Sequence, residues 1–308
     1  MKNFKFKKDI EKKYDYKMLW TPADFCNYKC NYCYNPASTD YPYATKKYSP
    51  EYIADCFNKT GKTWLILFLG GEPFMMPDFL PLVKEITKKH DINISTNLCS
   101  EDVFKFPEYA PSDKVMVISG SIHVEEREKD DPGFERFIEK YLFLEQKGYR
   151  VLANYVTWPP LFDRIEKDFD YLRSRGVGNL MPIIFRGNWN GKEYPFAYTE
   201  KDLELISGLV GSKSTVDFKP RPTINNKMTC EAGYKYFYMD HYGNVSRCNM
   251  ILQERHGNLF EGSFKPNRKK HKRMAKECHI CWTRDKVWGE LDIKEAIFPT
   301  KDELFTTL

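Results

Sequence analysis

Two hydrophobic periods take turns along the chain. Residues 64–69, Trp-Leu-Ile-Leu-Phe-Leu, form a continuous apolar run, the pattern of a strand buried on both faces. Ahead of it, Ser49-Pro50 marks a helix start, a capping serine followed by proline at the first helical position. Ile53, Cys56 and Phe57 then share one helical face, which makes Cys56 a core residue. Pro77 to Lys89 has helical spacing, and Ile92–Ser95 is a short strand ending in Thr96-Asn97. Val115–Ile118 is the next strand and runs into Ser119-Gly-Ser-Ile-His123. Asp131-Pro132 predicts the cap of an amphipathic helix with Phe134, Phe137, Ile138, Tyr141 and Leu142 on one stripe, stopped by Gly148. A strand over 149–156, a helix over 161–175 ending at Gly176, a strand over 180–185 and a helix over 199–210 complete the series.

With the apolar segment at Met18-Leu19-Trp20, this makes six strands alternating with helices, hence a parallel sheet with helices outside. Six units are too few for a closed eightfold barrel, and a partial (β/α)6 TIM-like barrel over 17–211 is the expectation. Residues 1–16 are a Lys-rich arm, and 212–229, with Pro220 and Pro222, are a connector. Residues 230–290 form a small cysteine-rich unit and 291–308 a tail. Ligands in such sheets bind at the carboxyl ends of strands. Thr96-Asn97, Ser119, Ser121 and Asn154 all lie near such ends.

Composition narrows the picture modestly. The 308 residues carry a net charge of +5 with 30% charged residues, which does not demand a nucleic-acid partner. Much of the excess lies in the run 265–276, read as a solvated loop in preference to an RNA or anion patch. No run approaches ~18 apolar residues, so no membrane span is expected and a cytoplasmic location is. Nine cysteines, an odd number without a signal peptide, suggest cofactor ligation and not a disulfide framework.

Three of those cysteines stand close together in Cys26-Asn-Tyr-Lys-Cys30-Asn-Tyr-Cys33. A compact C-x3-C-x2-C loop can aim three thiolates at three corners of one four-iron cluster and leave the fourth iron open. Half of a zinc site, or three incidental thiols, are the alternatives. Gly70-Gly71-Glu72-Pro73 follows the apolar strand. The pair of motifs, with Tyr32 as the aromatic before the third cysteine, resembles the radical S-adenosylmethionine (SAM) enzymes.

Cys230, Cys248, Cys278 and Cys281 form a second set, separated by 17, 29 and 2 residues. Between the first two, residues 236–247 read as a β-hairpin turning at Asp240–Asn244. Four thiolates can hold zinc or a four-iron cluster, and spacing does not separate the two. Cys-x-Ala-Gly, Asp-x-x-Gly-x-Val, Gly257-Asn258-Leu259 and C-x2-C together resemble the shortened SPASM module called a twitch domain, a β-hairpin plus helix. That resemblance implies one auxiliary [4Fe-4S] cluster on these four cysteines.

The radical SAM resemblance implies further roles. Cys26, Cys30 and Cys33 hold the cluster that binds SAM, and Tyr32 packs near the adenine. The backbone of Gly70, Gly71 and Glu72 receives the methionine amino group. Ser121, with Ser119 on the same face, meets the ribose or carboxylate, and Asn97 and Asn154 are further SAM contacts. Leu98 stands where the family often has glycine. His123 is a catalytic candidate or a strand-end histidine bonding a neighbour. Arg186, with Asn188, Trp189 and Asn190, either orients a polar substrate or belongs to a solvated loop. Cys99 is either a hydrogen-atom donor or a small buried cysteine.

The implied activity is reductive cleavage of SAM to a 5′-deoxyadenosyl radical and dehydrogenation of a small polar metabolite, with the electron passed to the auxiliary cluster. A flavodoxin- or ferredoxin-type donor would supply reducing power. Peptide crosslinking or epimerisation is the second expectation. A metal-stabilised nucleic-acid-binding protein is the third, and the intact SAM motif opposes it.

Overall fold

The computed structural model describes residues 14–33, 41–129, 133–209 and 230–271. Strand β1 (Tyr16–Ala23) is the reference for the sheet. The chain continues through α1 (Pro50–Lys59), β2 (Trp64–Gly70), α2 (Phe79–Thr87), β3 (Asp91–Thr96) and β4 (Val115–Ser121). A short α3 (Val124–Arg127) precedes α4 (Gly133–Gln146), β5 (Val151–Val156), α5 (Ile165–Ser174) and β6 (Leu180–Ile183). A two-stranded hairpin, β7 (Gly187–Trp189) and β8 (Lys192–Tyr194), leads to α6 (Glu200–Leu209). The last strands are β9 (Tyr236–Met239), β10 (Asn244–Cys248) and β11 (Ile251–Asn258).

Strands β1 to β6 pair in parallel, each with the next, as the alternating pattern requires. The C-terminal hairpin joins the same sheet: β9 lies parallel to β1, giving the order β11-β10-β9-β1-β2-β3-β4-β5-β6. The expected hairpin over 236–247 is therefore present with a third strand, and it extends the sheet on the free edge of β1. Its turn is held by Asp240, whose carboxylate accepts from the Tyr242 and Asn244 amides at 2.9 Å each. Asn258 of the Gly-Asn-Leu motif braces that turn by donating to Tyr242 O at 3.0 Å. The capping pair Asp131-Pro132, the connector, Cys278, Cys281, the expected helix of the C-terminal unit and the tail lie outside the described residues. Tyr16 belongs to β1 and not to an arm, and Gly187–Trp189 is a strand where a loop was expected.

The two faces of the sheet pack differently. Met18, Trp20, Ile66, Phe68, Ile92 and Ile94 face the helices, against Phe57 of α1 and Leu82 and Val83 of α2. Cys56 is buried in this layer, as the helical period predicts. Ser49 caps α1 by accepting from Tyr52 N at 3.2 Å. Trp20 is fully buried among Phe57, Phe68 and Phe260, and its indole donates to Asp240 O at 3.2 Å, fastening the C-terminal hairpin to β1. The opposite, inner face carries Leu19 and Leu65, with Leu67, Leu69 and Tyr238 packed against them.

His90, just before β3, is buried, and among the described residues neither ring nitrogen has a hydrogen-bond partner. Burial, then the charges of Lys114 and Lys89, push its pKa from the usual 6.5 to about 4. The folded protein keeps it neutral, while the unfolded chain takes up a proton near ~6.5. Stability therefore falls as pH drops through this window, by at most ~1.4 kcal/mol per pH unit from this group. Urea unfolding between pH 7 and 4 should show a shallower loss for His90→Leu than for the wild type.

Candidate functional site

The cysteine loop leaves the carboxyl end of β1 and is pinned by the end of β2. Gly71 N donates to Ala23 O at 3.1 Å and Glu72 N to Phe25 O at 2.9 Å. A Cβ on Gly71 would stand 1.8 Å from Phe25 O, so no side chain fits there. Gly70, at φ +125°, would bring a Cβ to 2.5 Å from Thr21 Cγ2. The two glycines thus allow two backbones to touch. Sequence reasoning assigned this backbone to the methionine amino group. The Gly71 and Glu72 amides hold the cysteine loop, so an ammonium, being a donor, would be received by the carbonyl oxygens of this segment.

Glu72 is 1% exposed, and its side chain faces inward. Its carboxylate accepts from Phe74 N at 3.1 Å, Thr96 Oγ1 at 2.6 Å and Asn97 N at 2.6 Å. Burial pushes the carboxyl pKa up against these three bonds. Asn97, fixed in this way, donates from Nδ2 to Asn27 Oδ1 at 2.8 Å and lies 3.9 Å from Cys26 Sγ. Leu98 takes the left-handed conformation (φ +57°) that a glycine adopts freely, and its buried side chain fills the space above Gly120.

The thiols converge under α3. Cys26 Sγ accepts from Tyr28 N at 3.4 Å, and Cys30 Sγ lies 3.4 Å from His123 Nδ1. The same nitrogen is 3.1 Å from the Tyr32 hydroxyl, and the Tyr32 ring stacks on the imidazole. Burial, then the Arg127 charge, lower the His123 pKa to about 4, so the ring is neutral at pH 7. Burial raises the Cys26 thiol to about 11 and Cys30 to about 12, so both stay protonated until a metal displaces the protons. Among the described residues no three His, Cys, Asp or Glu side chains close on a single-ion site. Three thiols on one short loop, too open for one ion, suit a cluster in which each cysteine binds a separate iron.

Two residues that the sequence reading missed complete the frame. Glu126 Oε2 accepts from Lys29 N at 3.1 Å, holding the loop between Cys26 and Cys30. Arg127 is 1% exposed and donates to Asn97 O, Ile122 O, Ser121 O and Gly133 O, tying the ends of β3 and β4 to the start of α4. Its guanidinium lies 4.6 Å from the centre of the Phe137 ring. No motif marks these two charged residues in the sequence, and the tertiary packing buries them.

Ser119, Ser121 and Asn154 lie on the inner face, Ser121 level with Asn154 and Ser119 with Ser95. Asn93 shares that face, level with Leu67. The Oδ1 atoms of Asn93 and Asn154 are buried without a hydrogen-bond partner. The inner face is thus polar along β3–β5 and apolar along β9, β1 and β2. Cys99 sits behind the cysteine loop, its thiol donating to the Tyr28 hydroxyl at 2.6 Å, with Arg127 Nη1 3.8 Å away. Arg186 is exposed just before β7. The hairpin it introduces is linked inward by Trp189 on Trp158 (4.5 Å between ring centres) and Trp158 on Tyr32 (5.4 Å).

Cys230 and Cys248 are buried with Leu19, Leu65 and Tyr236 on the inner face. Tyr236 is level with Lys17, at the amino end of β1. The first cysteine loop and the pair Cys230 and Cys248 therefore stand at opposite ends of β1, roughly 20 Å apart along a strand rising ~3.3 Å per residue.

Replacing Glu72 by Gln presents an NH2 to donors that need an acceptor. Denaturant unfolding should show Glu72→Gln less stable by about 2–3 kcal/mol, and Thr96→Val, which loses one bond, by about 1 kcal/mol.

Residues 20–172 match the sequence profile of the Radical SAM superfamily. No curated protein sequence matches the chain. Solved structures share the fold. Native anSMEcpe with bound AdoMet superposes with a TM-score of 0.60 at 18% identity, over 89% of this chain and 88% of that one. anSMEcpe with AdoMet and the Cp18Cys peptide gives 0.58 at 17% identity, over 89% and 87%. Streptococcus suis SuiB bound to S-adenosylmethionine gives 0.52 at 14% identity, over 90% of this chain and 68% of that one. At such identities the likeness speaks to the fold, and the family rests on the sequence match. With the cysteine loop docked on the glycine pair at the carboxyl end of a parallel sheet, residues 20–172 of this chain are a Radical SAM superfamily domain.

Proposed function

We propose that this chain is a radical SAM enzyme that oxidises a polar substrate held on the inner face of its sheet. The reading is supported by the first cysteine loop and the buried pair Cys230 and Cys248 lying at opposite ends of β1, with the polar face of β3–β5 on the same side of the sheet. Cys26, Cys30 and Cys33 would hold a [4Fe-4S] cluster, and Cys230 and Cys248, with Cys278 and Cys281, an auxiliary one. When bound, the first with SAM and one electron from a reduced donor would supply a 5′-deoxyadenosyl radical to take a hydrogen atom from a substrate carbon, and the second would accept the electron released as the substrate radical loses a proton to solvent.

The chain's own residues bind and orient. Glu72 works through Asn97: its buried carboxylate fixes that amide beside the cysteine loop and reaches no ligand itself. Neutral His123 and Tyr32 form a wall next to Cys30, and Trp158 closes it against water. Ser119, Ser121 and Asn154 offer hydroxyl and amide groups to SAM or to a polar substrate, the unpartnered Asn154 oxygen accepting from a substrate N–H or O–H. Arg127 keeps the strand ends that carry these groups in register, a positioning role.

Modification of a peptide is the second reading. It is favoured by the fold shared with anSMEcpe, one of whose structures holds the Cp18Cys peptide.

Anaerobic reconstitution of wild type should give about eight irons per chain, falling to about four in the Cys26/Cys30/Cys33→Ala triple variant. With SAM and dithionite, wild type should form 5′-deoxyadenosine and the triple variant none. Equal 5′-deoxyadenosine from both proteins would overturn the assignment of the first cluster. About four irons falling to none would leave the second set without a redox role and turn the reading to a redox-neutral reaction.

A further inference from the structure

The second cysteine set has a buried cation beside it. Arg247 precedes Cys248 in β10 and is 4% exposed. Its Nη1 donates to Glu254 Oε1 at 2.8 Å, but the Glu254 side chain is nearly half exposed, and this bond occupies one nitrogen. Among the described residues Nε and Nη2 are buried with no oxygen or nitrogen acceptor, and the Cys230 sulfur adjoins the guanidinium. A guanidinium keeps its charge at every accessible pH, so burial does not neutralise it.

A buried guanidinium with two nitrogens lacking oxygen or nitrogen acceptors is costly, because a desolvated charge needs both a counter-charge and acceptors for its N–H groups. Few groups nearby qualify. Tyr236, Ile251, Leu19 and Leu65, which surround the two cysteines, bring no charge. Cys230 and Cys248 are 6% and 7% exposed and bring no charge as thiols. Sulfur bound to a metal is different: thiolates and sulfides are anionic acceptors of N–H bonds.

We propose that Arg247 is a positioning residue for the auxiliary site, its guanidinium serving as the buried counter-charge of the anionic metal–sulfur group held by Cys230 and Cys248. This rests on the reading of the second set as an auxiliary cluster. Reduction of a cluster adds one negative charge. A fixed cation in a low-dielectric site stabilises the reduced form and raises the reduction potential. Arg247 thereby makes the site a better acceptor for an electron from an oxidised substrate.

The experiment uses the full chain carrying Cys26/Cys30/Cys33→Ala, so that only the second set can hold a cluster. Iron, sulfide and zinc are counted after anaerobic reconstitution, and the midpoint potential is measured by redox titration followed by electron paramagnetic resonance. In this background Arg247→Gln should shift the reduced-to-oxidised ratio at fixed potential at least tenfold toward the oxidised form, a midpoint lower by ~59 mV or more. Arg247→Lys, which keeps the charge, should lie closer to the parent. Glu254→Gln, at an exposed position, removes an opposing negative charge and should raise the midpoint even if Arg247→Gln does not fold. Unchanged midpoints in Arg247→Gln and Glu254→Gln, with iron retained, would overturn the role of Arg247. Zinc, or no metal, in the parent would instead overturn the cluster reading beneath it and the inference with it.

Discussion

The contact on which the site depends is backbone against backbone: Gly71 pressed against the carbonyl of Phe25. Everything at the mouth of the sheet is registered to it. The Gly71 and Glu72 amides hold the cysteine loop, and the Glu72 carboxylate turns inward to fix Thr96 and Asn97. Asn97 then returns to the loop through Asn27. The circuit closes on three consecutive strands, β1, β2 and β3, and gives the cysteine loop a braced base. Preorganisation of this kind lets a loop carry ligands without the mobility loops usually have.

A second frame lies across the loop. Glu126 takes the Lys29 amide while its neighbour Arg127 gathers carbonyls from the ends of β3 and β4 and from α4. A buried charge is tolerated when its donors are matched, and a planar guanidinium meets several carbonyls at once where an ammonium would not. Arg247 at the other end of the sheet is the contrast: also buried, but among the described residues matched by oxygen on one nitrogen.

The division of the inner face follows from strand order. β9 joins the edge of β1 with Tyr236 and Tyr238, so one side of the interior is lined by aromatic and aliphatic groups. The strands β3 to β5 supply serine and asparagine at matching registers. The interior thus has one polar wall and one apolar wall, and the buried cysteines Cys230 and Cys248 pack with the apolar one.

The sequence by itself determined the strands and helices of the parallel sheet, because the apolar run 64–69 and the helical stripes at 53–57 and 134–142 depend only on local period. It also determined the first cysteine loop and its glycine partner, whose chemistry is carried by adjacent residues. Tertiary structure alone decided the rest. That β9 pairs with β1 is a contact between strands some 200 residues apart, and no local pattern specifies it. The role of the glycine pair as a dock for the loop, and the burial of Glu126 and Arg127, are likewise products of packing. So is Arg247, unremarkable in a strand of alternating residues until the fold closes over it and leaves its charge to be matched.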